Sequence, residues 1–158
     1  MTKEKSLGER YRVGDMDIRP WGSYTVTAVG IKESGEESCV KEIQVNPGQI
    51  LSLQSHEHRR EHWRVASGVL TVVLDGQRLT LKSGEEVRIP QGSVHCMANL
   101  GKKNVVVTEI QKGLCREEDI TRYMDAYGRG TAASDDPRVT KSIDVYKALL
   151  AEIRKKAK

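Results

Sequence analysis

Turn-forming residues interrupt this chain at short, regular intervals, and this restricts the folds that it can adopt. They include Asn46-Pro47-Gly48, Asp75-Gly76, Ser83-Gly84 and Asn99-Leu100-Gly101. The apolar or alternating runs between the turn formers are predicted to be strands at residues 23–29, 38–45, 50–56, 63–66, 69–74, 78–81, 86–89, 94–99 and 105–111. Short strands with regular turn signals are typical of a sandwich or small barrel, and a closed jelly roll also hides its sheet edges. The sequence therefore predicts an all-β jelly-roll barrel.

The end of the chain has a different periodicity. Small and polar residues from 130 onwards read as a linker, and apolar residues then recur at three-to-four spacing within residues 142–158. This spacing is typical of an amphipathic helix. We therefore expect a C-terminal α-helix, whose apolar stripe covers either its own barrel or a second subunit.

Composition excludes several classes of protein. The chain has 158 residues, enough for one domain with its own core, and no apolar run reaches the roughly 20 residues of a membrane span. Residues 1–16 read as a polar arm without an apolar signal core, so we expect a cytoplasmic protein. The net charge of +4 is concentrated near the two ends, and no basic stripe with aromatic residues indicates nucleic-acid binding. The three cysteines contain no Cys-x-x-Cys pair, which argues against a disulfide framework or a thiolate zinc site.

Four side chains of the metal-binding type stand at informative spacings. Gln54 and His56 are two residues apart in a predicted strand, so they point to the same face. Glu61 opens the next run, and His95 follows a strand that ends in a Pro/Gly turn. The spacing predicts two β-hairpins, one with Gln54, His56 and Glu61 and a neighbouring one that brings His95 to them. Two imidazoles, a carboxylate and an amide oxygen suit a divalent ion such as zinc, manganese, cobalt or nickel.

The motifs around these residues resemble the two motifs of the cupin superfamily, with Gln54 where most cupins have a first histidine. Residues 51–63, together with Arg19-Pro20-Trp21-Gly22 and residues 117–129, resemble the C-terminal isomerase domain of type II mannose-6-phosphate isomerases. The resemblance implies a cupin double-stranded β-helix at residues 17–129, between the arm at 1–16 and a linker with a helix at 130–158. We expect the domain to stand free of the guanylyltransferase domain that usually precedes it.

The resemblance also implies an activity and a partner. The expected reaction interconverts mannose 6-phosphate and fructose 6-phosphate, with one divalent metal ion held by Gln54, His56, Glu61 and His95. Zinc is the first choice, and manganese, cobalt and nickel are alternatives. Because cupins often pair, we expect a homodimer that binds a small sugar phosphate and neither nucleic acid nor membrane.

The remaining site residues are chosen by charge and strand parity. For the phosphate, Arg59 is the first candidate because its fork can grip two oxygens, and Lys41 is the second, whereas Arg60 reads as a solvated loop charge. For proton transfer, His58 is preferred to His62, because His58 shares the parity of Gln54 and His56 if the strand continues that far. A further acid on a late strand, Glu109, is another candidate base, although its interpretation as a surface residue is favoured.

Two other functions remain open at this point. The same ligands could serve a cupin isomerase or dioxygenase that acts on another small molecule. Alternatively, the chain could be a non-catalytic cupin that binds a sugar phosphate and regulates another protein.

Overall fold

The computed structural model describes residues 8–158, which form eleven strands and one helix. The strands are, in chain order, β1 (Met16–Arg19), β2 (Gly22–Ile31), β3 (Glu37–Val45), β4 (Leu53–Ser55), β5 (Arg59–Ser67), β6 (Val69–Leu74), β7 (Gln77–Lys82), β8 (Glu86–Ile89), β9 (His95–Ala98), β10 (Val105–Gly113) and β11 (Thr121–Met124). The helix α1 spans Pro137–Lys156.

The strands form two antiparallel sheets. One sheet has the order β1-β2-β3-β10-β5-β8, and the other has the order β11-β4-β9-β6-β7. The all-β jelly-roll prediction is confirmed. The two predicted hairpins are wrong, because β4 and β5 lie in different sheets, and so do β8 and β9. The sequence reading paired strands that are neighbours along the chain, whereas the long-range pairing of β5 with β10 decides the topology.

The main apolar cluster lies between the sheets, because both contribute to it. It is built mostly of aliphatic side chains around Trp63, as expected for a chain without phenylalanine. Its other buried members are Trp21, Ile43, Val45, Leu51, Val65, Leu70, Val72, Leu81, Ile89, Met97, Val105 and Val107. The inward-facing polar residues interrupt this cluster and form the site described below.

The helix packs against its own barrel, which was one of the two alternatives. Tyr146 and Leu149, both fully buried, share an apolar cluster with Leu53 and Val73 of the five-stranded sheet and with Cys96. This places Cys96 on the face opposite His95, as strand alternation predicts. The helix starts at residue 137 rather than at the predicted 142.

The helix begins early because its first turn is capped. The side chain of Asp136 accepts a hydrogen bond from the Arg138 backbone N–H, and Pro137 occupies the first turn, where its missing N–H costs nothing. Within residues 8–158, no helix is both long and apolar enough to cross a lipid bilayer. The division into arm, barrel and helix stays a prediction, and residues 1–7 of the arm lie outside the described residues.

Candidate active site

Three of the four predicted metal-type side chains meet inside the barrel. His56, Glu61 and His95 are all buried, and one potential ligand atom from each lies within 4.8 Å of the others. The Nε2 atoms of His56 and His95 are 3.4 and 3.7 Å from different carboxylate oxygens of Glu61. His56 follows β4 and His95 opens β9, whereas Glu61 is on β5, so both sheets contribute to the cluster.

Backbone carbonyls fix the protonation of both imidazoles. The Nδ1 of His56 lies 2.6 Å from the carbonyl oxygen of Asp119, and the Nδ1 of His95 lies 2.9 Å from that of Ser93. A carbonyl can only accept, so each Nδ1 carries the hydrogen and each Nε2 presents a lone pair. Burial lowers the pKa of His56 to about 3, with the charge of Glu61 opposing only in part, and burial also lowers the pKa of His95. Both rings are therefore neutral near pH 7, which is the form that binds metals.

One atom of this cluster lacks a partner. Within residues 8–158, the buried Nε2 of His95 has no hydrogen-bond partner, an arrangement that costs free energy. Two imidazole lone pairs beside a carboxylate are a donor set that zinc and related divalent ions use. The residues fit such an ion, which would give the His95 nitrogen its partner.

Glu61 is held in its ionised form. Burial alone would raise the pKa of this carboxyl group, but the permanent charge of Arg59 and the hydrogen bond from its Nε oppose burial and hold the pKa below the usual range. Its two oxygens accept hydrogen bonds from Arg59 Nε and Trp63 Nε1, each at 3.0 Å. Because Arg59 and Trp63 are on β5 together with Glu61, residues of one strand orient the carboxylate.

Gln54, the fourth predicted residue, lies on the wall beside the cluster. It is the register partner of His95 across β4 and β9, so the two side chains leave the same face of the sheet. Its amide oxygen accepts a hydrogen bond from the Ser52 hydroxyl at 3.0 Å.

A cavity opens from the cluster and is rich in positive charge. Its volume is about 70 Å³, and Gln54 and His56 form part of its lining. The charged residues that line it are Arg19, Lys41, Arg59, Arg122 and Arg129 on the cationic side, and Glu109 and Glu117 on the acidic side. The excess of cations makes this a place for an anionic ligand.

Arg59 is turned towards protein groups rather than towards the mouth of the cavity. Its Nε binds Glu61, its Nη1 donates to the carbonyl of Arg116 at 2.8 Å, and its Nη2 lies 3.2 Å from His56 Nε2. The side chain is 6% exposed. This arrangement favours a role in positioning the cluster over the predicted role in phosphate binding.

Lys41 points into the barrel, but its ammonium is also occupied. Its Nζ donates to the Tyr11 hydroxyl at 2.9 Å and lies 3.6 Å from a carboxylate oxygen of Glu117. It also lies 4.1 Å from the ring centroids of both Tyr11 and Tyr24. Residue Tyr11 of the predicted polar arm therefore contributes to the cavity network.

The expectation that His58 lies near the metal residues is wrong. β4 ends at Ser55, so strand parity does not extend to His58, whose side chain is 42% exposed and lies 3.1 Å from Asp119 Oδ1. His62 faces away and contacts Glu86 at 3.0 Å.

Burial and contacts show where two further charged residues, Arg60 and Glu109, lie. Arg60 pairs with Glu36 at the surface, as expected for a solvated loop charge. Glu109, interpreted from the sequence as a surface acid, is buried and lines the cavity, so that interpretation is wrong. Glu109 has the same strand parity as the apolar residues Val105 and Val107, and this shared parity indicated an inward side chain.

The surroundings of Glu109 change its acidity. It pairs in register with Lys41 on one side and Trp63 on the other, and its carboxylate accepts a hydrogen bond from Gln111 Nε2 at 2.6 Å. Burial and the charge of Glu61 raise the pKa of Glu109 to about 7, with Lys41 and the nearby guanidinium opposing in part. The group can therefore hold or release a proton near neutral pH.

Sequence reasoning also assigned no site role to the arginines at the cavity mouth. Arg122 lies on β11 as the register partner of Gln54, and Arg19 and Arg129 lie on other segments. The parity of Arg122 could have indicated its direction, but β11 was not among the predicted strands.

Comparisons with known proteins agree with this architecture. A family model described as "Mannose-6-phosphate isomerase C-terminal" matches residues 8–125. A mannose-1-phosphate guanylyltransferase of Escherichia coli (strain K12) is 39% identical over 120 residues, which are 75% of this chain and 24% of that protein. The chain thus spans about a quarter of the length of this curated relative.

Solved structures show the fold. The capsular polysaccharide assembling protein CapF of Staphylococcus aureus has a TM-score of 0.60 at 20% identity, over 75% of this chain and 36% of that one. A cupin domain from Schizosaccharomyces pombe has a TM-score of 0.50 at 15% identity, over 58% of this chain and 65% of that one. At these identities the likeness establishes a shared barrel.

Proposed function

The chain belongs to the family of mannose-6-phosphate isomerase C-terminal domains, which have the cupin fold, and we propose that it is a metal-dependent sugar-phosphate isomerase. The proposed reaction converts mannose 6-phosphate into fructose 6-phosphate and back. A single observation carries this proposal: two neutral imidazoles and an ionised carboxylate converge beside a cavity whose lining carries excess positive charge.

The metal residues are assigned from their placement. His56, Glu61 and His95 would hold one divalent ion, with zinc as the first choice, and Gln54 is placed to add an amide oxygen. Such an ion supplies a Lewis acid that polarises the sugar carbonyl and stabilises negative charge on its oxygen. Arg59 and Trp63 keep the carboxylate of Glu61 oriented for this purpose.

Glu109 is our candidate for proton transfer. When ionised, it takes the proton from the carbon next to the sugar carbonyl and delivers it to the former carbonyl carbon, while the hydroxyl proton moves from the neighbouring oxygen to the former carbonyl oxygen. A base with a pKa close to the working pH suits this exchange, and Glu109 meets that condition. Gln111 fixes the direction of its carboxylate through the hydrogen bond at 2.6 Å.

A coupled assay for fructose 6-phosphate formation tests the proposal. We expect turnover of mannose 6-phosphate to disappear on chelation, to return on adding zinc, and to be lost in His95→Ala. The matched control is His62→Ala, because His62 is on the same barrel but contacts Glu86 away from the cluster. This control should keep its turnover.

The outcomes separate the functions left open by the sequence. Turnover that survives both chelation and His95→Ala would reject the metal-dependent mechanism. Tight binding of mannose 6-phosphate without turnover would instead favour a non-catalytic sugar-binding cupin. Oxygen consumption that depends on added iron would favour a dioxygenase.

A further inference from the structure

The mouth of the cavity is lined by three arginines, and they differ in their partners. Arg19 pairs with Asp17 and Glu117, and Arg129 forms a two-pronged pair with Asp125. Among residues 8–158, no group accepts a hydrogen bond from the buried Nε of the third, Arg122. Arg122 therefore has a free donor near two arginines that already have carboxylate partners.

Strand register aims Arg122 at the same space as the metal-type cluster. Arg122 pairs with Gln54 across β11 and β4, and Gln54 pairs with His95 across β4 and β9. Residues paired in this way project from the same face of a sheet. Arg122 and His95 are therefore separated by two strand spacings, so their Cα atoms are about 10 Å apart.

The exposure of the residues that line the cavity indicates where each end of a sugar phosphate would lie. The cavity is lined by His56, which is buried in the cluster, and by arginines that are partly exposed, so a sugar phosphate would place its reacting end beside the cluster. The strongly hydrated phosphate must lie nearer to solvent, where the side chain of Arg19 is 26% exposed and that of Arg129 is 30% exposed. Arg59 and Lys41, each 6% exposed, lie deeper.

The electrostatics of Arg122 favour an anion there. Burial and the nearby charges of Arg129 and Arg19 lower its pKa, with the charges of Asp125 and Glu117 opposing in part. A buried N–H group without an acceptor costs free energy, and a phosphate oxygen would supply the missing acceptor. A guanidinium can also bind two phosphate oxygens at once.

We propose that Arg122 is the anchor for the phosphoryl group of the substrate, with Arg19 and Arg129 adding to the positive potential around it. This inference rests on the proposed isomerase function, because that function supplies the sugar phosphate. It also assigns Arg59 to positioning Glu61 and His56 instead of binding phosphate.

Calorimetric titration with fructose 6-phosphate, using the zinc-loaded full chain, tests the anchor. We expect Arg122→Met to weaken binding by about 10- to 150-fold, which corresponds to the loss of a hydrogen bond to a charged group. Arg122→Lys should lose less, because it keeps a point charge. The control is Arg64→Met, which removes an exposed arginine outside the cavity and should bind as the unaltered chain does.

Orthophosphate is the second probe and removes the sugar from the test. Its competition with fructose 6-phosphate should be lost in Arg122→Met and kept in Arg64→Met. Unchanged affinity for both probes in Arg122→Met would overturn the anchor, even if the chain proves to be an active isomerase. Conversely, loss of binding in that variant without turnover in the unaltered chain would support the anchor and reject the isomerase.

Discussion

Glu109 and Arg122 are charged residues whose surroundings differ from those of an ordinary surface charge. Glu109 is buried between Lys41 and Trp63 in the six-stranded sheet, and Arg122 faces the cavity from the five-stranded sheet. They approach the same space from opposite walls. A ligand between them would meet a proton carrier on one side and a cation on the other.

Replacing Glu109 tests its role directly. We expect Glu109→Gln to lower kcat by about 10²- to 10⁴-fold, the usual contribution of a positioned acid or base, while KM and zinc content change little. Steady-state kinetics with metal analysis measures this. The control is Glu42→Gln, an exposed acid on the neighbouring strand β3. A loss of kcat of similar size in both variants would contradict the assignment.

The pH profile gives an independent measure of the same group. The ionised carboxylate is the active form, and its pKa is raised to about 7, so kcat/KM should fall about tenfold per pH unit below that pKa and level off above it. An ion bound beside Glu61 would remove part of the negative charge that raises the pKa, so the bend should lie at or below about pH 7. A rate that is flat from pH 5 to 8 would contradict this role.

At the scale of single residues, the sequence could identify only those site residues that local spacing and resemblance indicate. Spacing and resemblance marked His56, Glu61 and His95, which the structure brings together. The same patterns could not place Glu109 or Arg122, because parity states which face a side chain leaves but not which strands lie across from it. His58 was misplaced for the related reason that β4 ends before it.

At the scale of elements, alternation and turn residues located most strands. β6 and β8 match their predicted bounds, and seven others differ mainly at their ends. β1 and β11, which have four residues each and stand at the end of the strand order in their sheets, were missed. Their pairing with β2 and β4 depends on the folded barrel rather than on their own sequence.

The packing of α1 on the barrel gives a prediction about stability. Leu149 is fully buried against the five-stranded sheet, so Leu149→Ala should lower the free energy of unfolding by about 2–5 kcal/mol. Urea denaturation measures this loss. Lys147→Ala, on the exposed side of α1, should change it by no more than about 0.5 kcal/mol. Equal losses would mean that the helix is not held through its apolar face.

At the scale of the whole molecule, the proposed ion would join two sheets. Its candidate ligands come from β5 in one sheet and from β9 and the end of β4 in the other.

The predictions about where the molecule lies and what it binds are not tested by contacts within one chain. The cytoplasmic location, the homodimer, and the absence of nucleic-acid or membrane partners stay predictions, because nothing in a single folded chain decides them.

Ion binding should therefore stabilise the whole barrel. At a zinc concentration of 100 times Kd, the free energy of unfolding should rise by about 2.7 kcal/mol, because the ion binds only the folded form. Chemical denaturation with and without zinc measures this. The rise should disappear in His56→Ala and persist in His62→Ala, and an equal rise in both would place the ion elsewhere.

The position of Arg59 affects whether the chain can fold before it binds a metal ion. Its guanidinium lies between Glu61 and His56 Nε2, so a permanent positive charge already compensates the buried carboxylate. Small domains whose only counter-charge is a metal often stay unfolded until it arrives. This barrel carries its own substitute, so we expect a newly synthesised chain to reach its mature shape first and the proposed ion to bind afterwards.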